Sequence, residues 1–221
     1  MMRWLFALLG LMLLTAAAPG RDWSTTTTRL PSGAMLIGNP AAPLKLVEYG
    51  SYTCSHCAAF AAESDKVLKH EMIATGSVSL EYRHLIRDRL DLAAAILARC
   101  AGTPRFASAS SAIFAAQPKW LQAAIDWTPK HPEVAGYPPA KQTRTLADAS
   151  GLTALMTKRG LTATQIAACF ANTRETDTIV KLTADAPATV TSTPSFLLNG
   201  QPVPPMGWGE LEPYLRARGA K

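Results

Sequence analysis

Two cysteines separated by two residues, Cys54 and Cys57, form the pattern in this sequence that most directly indicates chemistry. The residues that follow Cys54 are alanine-rich and favour a helix, while residues 44–49 before it favour a short strand. If a helix begins at Cys54, both sulfurs lie on one face of its first turn, close enough to form a disulfide. The pair is therefore a candidate redox centre.

The predicted position of Cys54 favours its thiolate. Free N–H groups and the positive end of the helix dipole stabilise an anion there, and His56 can add a positive charge or a hydrogen bond. A free thiol has a pKa of about 8.5, and such sites lower it to roughly 3.5–7.5. Because the thiolate exists only in the reduced form, its stabilisation makes the disulfide easier to pass to other thiols. The motif therefore predicts an oxidant.

Two other roles for the cysteine pair are weaker. A zinc site needs a second pair of ligands, and the sequence contains no second C-x-x-C and no H-x3-H spacing. An inert structural disulfide is disfavoured because few such bridges occupy a strand-to-helix junction with a histidine between the cysteines.

The order of predicted elements indicates an α/β sheet with a helical insertion. A strand at 78–85 follows the cysteine-bearing helix at 54–69, and residues 128–143, with four prolines, predict an irregular surface loop. The last segment predicts a strand at 195–198, an Asn199-Gly200 hairpin turn, a short return strand at 201–203 and a helix at 208–218. The insertion is expected at about 89–175, and further helices are predicted at 90–101, 106–117, 146–158, 164–172 and 175–186.

The first residues predict export. Arg3 precedes an uncharged apolar run at 4–14, and small residues at 16–18 offer a cleavage site, so residues 1–18 are expected to be a signal peptide and 19–38 an extended lead-in. A retained anchor is the alternative, but the run is shorter than the roughly 20 residues that span a bilayer. We therefore expect a periplasmic or otherwise exported protein, in an oxidising environment where cysteine pairs form disulfides.

The composition is that of an ordinary globular protein, with 48% hydrophobic and 17% charged residues. The net charge of +6 is modest, and no basic run is interleaved with aromatic residues. A nucleic-acid partner is therefore not expected.

Several motifs together resemble a known family. Residues 47–57, VEYGSYTCSHC, with Phe60, resemble the active-site segment of DsbA-type oxidoreductases. Thr193-Pro194, ahead of SFLLNG, is similar to the cis-proline segment of the thioredoxin superfamily, and residues 39–43, NPAAP, resemble the entry to its central strand. The resemblance implies a thioredoxin fold with an inserted all-helical subdomain, spanning residues 39–221.

The resemblance also implies roles for individual residues. Cys54 matches the exposed nucleophile and Cys57 the more buried resolving cysteine. Pro194 matches the cis-proline that faces the disulfide, and Thr193 the residue that shapes substrate and redox contacts.

Two further roles implied by the resemblance have open alternatives. Glu48 matches a buried acid that assists proton transfer at the resolving cysteine; the alternative is an exposed strand-end carboxylate, although its shared face with Leu44 and Leu46 favours burial. Cys100 and Cys169 are expected to form a second, structural disulfide, with two buried free thiols as the alternative.

The expected function is thiol–disulfide exchange with unfolded or reduced exported proteins. No cofactor is expected beyond the Cys54–Cys57 disulfide. The resemblance implies that a quinone-linked membrane partner reoxidises this pair. Ser55 replaces the proline common in the family's dipeptide, and Thr193 resembles the isomerase branch. Only about 20 residues lie between the predicted signal peptide and Asn39, too few for the dimerisation domain of familiar isomerases, so an oxidase is expected. An isomerase or reductase, a non-redox peptide-binding chaperone and a metal-binding role are the alternatives.

Overall fold

A computed structural model describes residues 21–221, so the predicted signal peptide at 1–18 lies outside the described residues. The lead-in is more than extended chain. After one 3-10 turn at Trp23–Thr25 it forms strands β1 (Thr27–Arg29) and β2 (Met35–Gly38), which pair with each other and join the sheet at one edge. The sequence predicted extended backbone here but not this pairing.

The centre of the sheet is a parallel pair, β3 (Leu44–Gly50) and β4 (Val78–His84). All residues of β3 except Lys45 are buried, as expected for a strand covered on both faces. The hairpin β5 (Ser195–Leu198) and β6 (Gln201–Pro202) lies antiparallel beside β3. Within residues 21–221 the strand order is β1-β2-β4-β3-β5-β6, so β5 lies next to the strand that leads to the cysteines.

The cysteine-bearing helix α1 (Ser55–Ser64) begins directly after β3 and continues as a π-helical segment, Asp65–Ile73. Its Phe60 packs against Phe196 of β5, with ring centroids 4.8 Å apart, and against Trp208, at 6.0 Å. Trp208 opens the last helix of the chain, which we label α9 (Trp208–Arg216). This aromatic contact ties α1 to the sheet and to the closing helix.

The segment between β4 and β5, here called the helical block, contains the insertion expected at about 89–175. Its seven helices are α2 (Arg89–Cys100), α3 (Phe106–Ala115), α4 (Gln117–Trp127), α5 (Pro139–Ala149), α6 (Leu152–Lys158), α7 (Ala163–Ala171) and α8 (Thr173–Ala184). The expected fold class, an α/β sheet with an inserted all-helical subdomain, is confirmed. A disulfide between Cys100 and Cys169 joins α2 to α7, with Cα atoms 5.8 Å apart.

Three details of the helical block differ from the prediction. The prediction of a loop at 128–143 was wrong from residue 139 onward, because Pro139 stands at the start of α5, where proline costs no hydrogen bond. The single helix expected at 146–158 is divided by Gly151, which adopts a left-handed φ of 84°. Helix α4 was not predicted; its proline also lies in the first turn.

No helix within residues 21–221 combines the length and the apolar character needed to cross a bilayer.

Candidate redox active site

The two cysteines occupy the first turn of α1. Cys54 is the N-cap residue, with extended backbone (φ −89°, ψ 120°), and its carbonyl oxygen accepts the first helical hydrogen bond, from the N–H of Ala58 at 3.2 Å. Both residues are free thiols. Cys54 is 4% exposed, whereas Cys57 is fully buried. A reagent from solvent therefore reaches the sulfur of Cys54 first.

The Thr193-Pro194 peptide is cis and lies across from the first turn of α1. The Sγ–H of Cys54 donates to the carbonyl oxygen of Thr193 at 3.2 Å, across 139 residues of sequence. This contact arises because β5, which follows Pro194 directly, pairs with β3, which leads to Cys54. The sheet topology thus brings Cys54 and Thr193 into one site, although no local signal in the sequence indicates their contact.

The surroundings of Cys54 favour its thiolate. Burial is the largest single influence on the pKa of Cys54, and it opposes ionisation. Hydrogen bonds from the Thr193 side chain and from the backbone N–H groups of Cys57 and His56 together outweigh burial. The pKa of Cys54 therefore lies below its ordinary value. The Thr193 carbonyl oxygen can accept only from the protonated thiol and so acts in the opposite direction. The His56 ring is exposed, and the role expected for its charge stays a prediction.

The surroundings of Cys57 disfavour its thiolate. Burial, and next the charge of Glu48, raise the pKa of Cys57 far above its ordinary value. The two cysteines therefore differ in opposite directions: the surroundings of the accessible sulfur favour its thiolate, and those of the buried sulfur favour its protonated form.

Glu48 lies on β3 beneath the cysteines, only 4% exposed. Burial, and next the charge of Cys54, raise the pKa of Glu48 from 4.5 to about 8, so the carboxyl is mostly protonated at neutral pH. Its Oε1 has no hydrogen-bond partner among the described residues. The carboxyl borders a small cavity of about 80 Å³ that is lined mainly by apolar side chains. Glu48 is therefore a buried, mostly protonated carboxyl close to the cysteine pair.

An open pocket of about 360 Å³ lies beside Cys54. It is lined by His56, by Leu85 and Arg87 after β4, and by residues 191–193 before the cis-proline. Cys54 itself lines the pocket, so its sulfur is reached from this side of the molecule.

Two side chains that the sequence did not single out support the turn before Cys54. Asp91 of α2 accepts hydrogen bonds from this turn, and Gln117 of α4 donates to it. Both residues come from the helical block, and both are buried. In the sequence, each residue stood out only as a polar side chain within a predominantly apolar segment. That feature does not by itself identify a hydrogen-bond partner.

No group of three or more histidine, cysteine, aspartate or glutamate side chains with the arrangement of a metal site occurs in residues 21–221.

Comparison with known proteins agrees with this geometry. A family model described as thioredoxin matches residues 31–217. The chain is similar to a protein-disulfide isomerase from Novosphingobium aromaticivorans, with a TM-score of 0.78 and 31% sequence identity; the match covers 83% of this chain and 95% of that one. A variant of alpha-DsbA1 from Wolbachia pipientis matches with a TM-score of 0.61 and 25% identity, over 76% of this chain and 75% of that one.

Among curated proteins, the chain is 29% identical over 178 residues to a Rickettsia typhi protein provisionally named a protein-disulfide oxidoreductase. This match covers 79% of the present chain but only 57% of the relative, so the chain spans somewhat more than half the length of that protein. Because the thioredoxin model matches most of the chain and the Novosphingobium protein is matched over nearly its whole length, the chain belongs to the thioredoxin family, and its structural neighbours are DsbA-type proteins and protein-disulfide isomerases.

Proposed function

We propose that this protein is an exported thiol–disulfide oxidoreductase that introduces disulfides into other proteins by exchange through Cys54 and Cys57. The observation that carries the proposal is the contrast between the two sulfurs. Cys54 receives hydrogen bonds that favour its anion, and Cys57 lies in surroundings that keep its proton. Each unit by which the pKa of the nucleophile falls stabilises the dithiol form and raises the reduction potential by about 30 mV.

The exchange begins when a substrate thiolate attacks Sγ of Cys54 in the oxidised site. The Cys54–Cys57 bond breaks, its electron pair leaves with the sulfur of Cys57, and that sulfur takes up a proton because its thiolate is disfavoured there. The protonated carboxyl of Glu48 is the buried group placed to supply this proton. Cys57 cannot take the first attack because it is fully buried.

A second substrate thiolate then attacks the substrate sulfur of the mixed disulfide. The bond to Cys54 breaks, and Cys54 leaves as the thiolate that its hydrogen-bond donors stabilise. The substrate has lost two electrons and two protons to form its disulfide. The site has gained both electrons and one proton, as the Cys54 thiolate and the Cys57 thiol; Glu48 recovers from solvent the proton that it gave to Cys57, and the substrate's other proton stays in solvent. A further oxidant must then remove two electrons from the site, for which we propose a quinone-linked membrane partner.

The proposed substrates are unfolded or reduced exported proteins. The open pocket beside Cys54 supports this, because its wide mouth can admit an extended chain rather than only a small molecule. Export is supported by the apolar run and small residues at the start of the sequence. We accordingly propose a signal peptide at 1–18, a lead-in at 19–38 and the DsbA-like domain at 39–221.

A disulfide isomerase is the second candidate, for two specific reasons. Thr193 resembles the residue that precedes the cis-proline in isomerases, and the Novosphingobium protein to which the chain is similar is named a protein-disulfide isomerase. Isomerisation uses the same nucleophile but requires the dithiol form as the resting state.

A glutathione redox titration of the Cys54–Cys57 pair, combined with two refolding assays, tests the proposal. We expect the purified protein to oxidise reduced ribonuclease much faster than it restores activity to scrambled ribonuclease, and we expect Cys54→Ser to lose the first activity. A Ser108→Ala variant, altered on the exposed face of α3 away from the pocket and keeping both sulfurs, is the control and should match the wild type. Faster rescue of scrambled ribonuclease than oxidation of reduced ribonuclease would favour the isomerase instead, and full activity of Cys54→Ser would defeat both.

A further inference from the structure

The turn that carries the nucleophile has no regular secondary structure of its own. Strand β3 ends at Gly50 and α1 begins at Ser55. Cys54 has backbone partners, since its N–H donates to the carbonyl of Ser51 at 3.3 Å and its carbonyl accepts from Ala58 at 3.2 Å, but the N–H and C=O of Tyr52 have none within the described residues. Ser51 and Tyr52 are nevertheless fully buried. Buried backbone N–H and C=O groups need hydrogen-bond partners, so side chains must supply them here.

Gln117 supplies the donors. Its Nε2 donates to the carbonyl oxygen of Tyr52 at 2.7 Å and to that of Cys54 at 2.9 Å. Gln117 is only 3% exposed and opens α4, so the helix fixes the direction of its side chain. One amide group therefore joins the two carbonyls that flank Thr53 and reaches the nucleophile's own backbone.

Asp91 supplies the acceptors on the opposite side of the same residue. Its Oδ1 accepts from the N–H of Tyr52 at 2.8 Å, and its Oδ2 accepts from the hydroxyl of Ser51 at 2.6 Å. Asp91 is fully buried near the start of α2. Both the backbone N–H and the C=O of Tyr52 are thus hydrogen-bonded to side chains of the helical block. The Tyr52 hydroxyl makes a third hydrogen bond to this block, donating to Ser110 of α3 at 2.9 Å.

From these contacts we infer that Gln117 is a positioning residue for thiol–disulfide exchange, and that Asp91 supports it by holding the other side of the same turn. Gln117 touches neither the sulfur nor the substrate pocket. It sets the backbone of Cys54, and this backbone aims Sγ at the N–H groups of Cys57 and His56 and at Thr193. Through Gln117, the helical block thereby influences the reactivity of Cys54 in addition to stabilising the fold.

This inference rests on the proposed exchange at Cys54 and has its own test. Gln117→Met removes both hydrogen bonds while keeping the side-chain length. We expect the thiolate absorbance of reduced protein to titrate about one pH unit higher, and the glutathione equilibrium constant to shift about tenfold toward the disulfide. Gln122→Met is the matched control, because Gln122 is exposed on the same helix and bonds only Asp126; its titration and equilibrium should equal those of the wild type.

A second variant covers the case in which Gln117→Met does not fold. Gln117→Asn keeps the amide but is too short to join both carbonyls, so we expect a shift in the same direction and of smaller size. The inference is overturned if the folded variants lose thermal stability while the thiolate titration and the glutathione constant stay at their wild-type values, since a merely structural role predicts that result. If the wild-type protein shows no exchange at Cys54, the proposed function itself fails. That result is distinguishable from failure of the inference, because it is measured on the wild-type protein and not on the Gln117 variants.

Discussion

The buried carboxyl of Glu48 makes stability depend on pH in a way that one substitution can isolate. Glu48→Gln replaces the carboxyl with an uncharged amide of nearly the same shape. In the folded protein, burial, and next the charge of Cys54, raise the pKa of Glu48 from 4.5 to about 8. The folded state therefore binds this proton more tightly than the unfolded chain does. The stabilisation is fully present below about pH 4.5 and is lost as the pH rises through about 8.

The size of the effect follows from the two pKa values. A shift of one unit corresponds to about 1.4 kcal/mol, so stability falls by on the order of 5 kcal/mol in total as the pH rises from below 4.5 to above 8. The fall occurs because the unfolded chain gains the free energy of ionising Glu48 while the folded protein still binds the proton. At pH 7 most of this loss, roughly 3 kcal/mol, has already occurred relative to pH 4.5. Glutamine does not ionise and does not incur this loss.

Urea unfolding of wild type and Glu48→Gln at pH 4.5, 7 and 8.5 measures the difference. We expect the two free energies of unfolding to be similar at pH 4.5 and to diverge with pH, until Glu48→Gln is several kcal/mol more stable. The divergence should be larger in the reduced protein, because the Cys54 thiolate contributes to the shift. Glu63→Gln, an exposed change on α1, is the control and should follow the wild type. A difference that stays constant with pH, or that shrinks as the pH rises, refutes the reasoning.

Three further predictions concern the cysteines and the turn before them. Cys57→Ser should leave Cys54 reactive toward alkylating reagents and trap mixed disulfides visible on non-reducing gels; absence of trapped substrate contradicts the assigned order of attack. Replacing both Cys100 and Cys169 with alanine should lower the free energy of unfolding by about 4 kcal/mol, the chain-entropy value for a closed loop of 69 residues, and a denaturant midpoint equal to the wild type excludes this contribution. Asp91→Ala should cost roughly 3 kcal/mol or more in urea unfolding, because the buried N–H of Tyr52 loses its acceptor; a loss below 1 kcal/mol shows that the turn finds another partner.

Local interactions explain what was predictable from the sequence. Cys54 and Cys57 are three residues apart, so a helix alone brings them to one face, and the strand-to-helix junction needs only the propensities of the flanking residues. The same holds for β3, β4 and α2, whose observed bounds lie within one or two residues of those predicted. The helix boundaries around 139 and 151 were missed because a proline can open a helix as readily as it ends one, and because only the packed structure decides where a helix divides.

Contacts between distant segments could not be predicted from residue types and spacing. The placement of Thr193 and Pro194 against Cys54 was inferred only by resemblance, since 139 residues separate them and the pairing of β5 with β3 brings them together.

The amino-acid sequence by itself determined the redox motif, the helix that carries it and the alternation of sheet and helical block, because these depend on neighbours within a few residues. The preference for a thiolate at Cys54 was also predicted from its place at the helix start, but only the tertiary structure decided what disfavours ionisation of Cys57 and what holds the turn before Cys54. The alternation of Leu44, Leu46 and Glu48 along β3 already favoured burial of Glu48, whereas the hydrogen bonds from Gln117 arise only when the helical block packs against the sheet, and no short-range pattern encodes them.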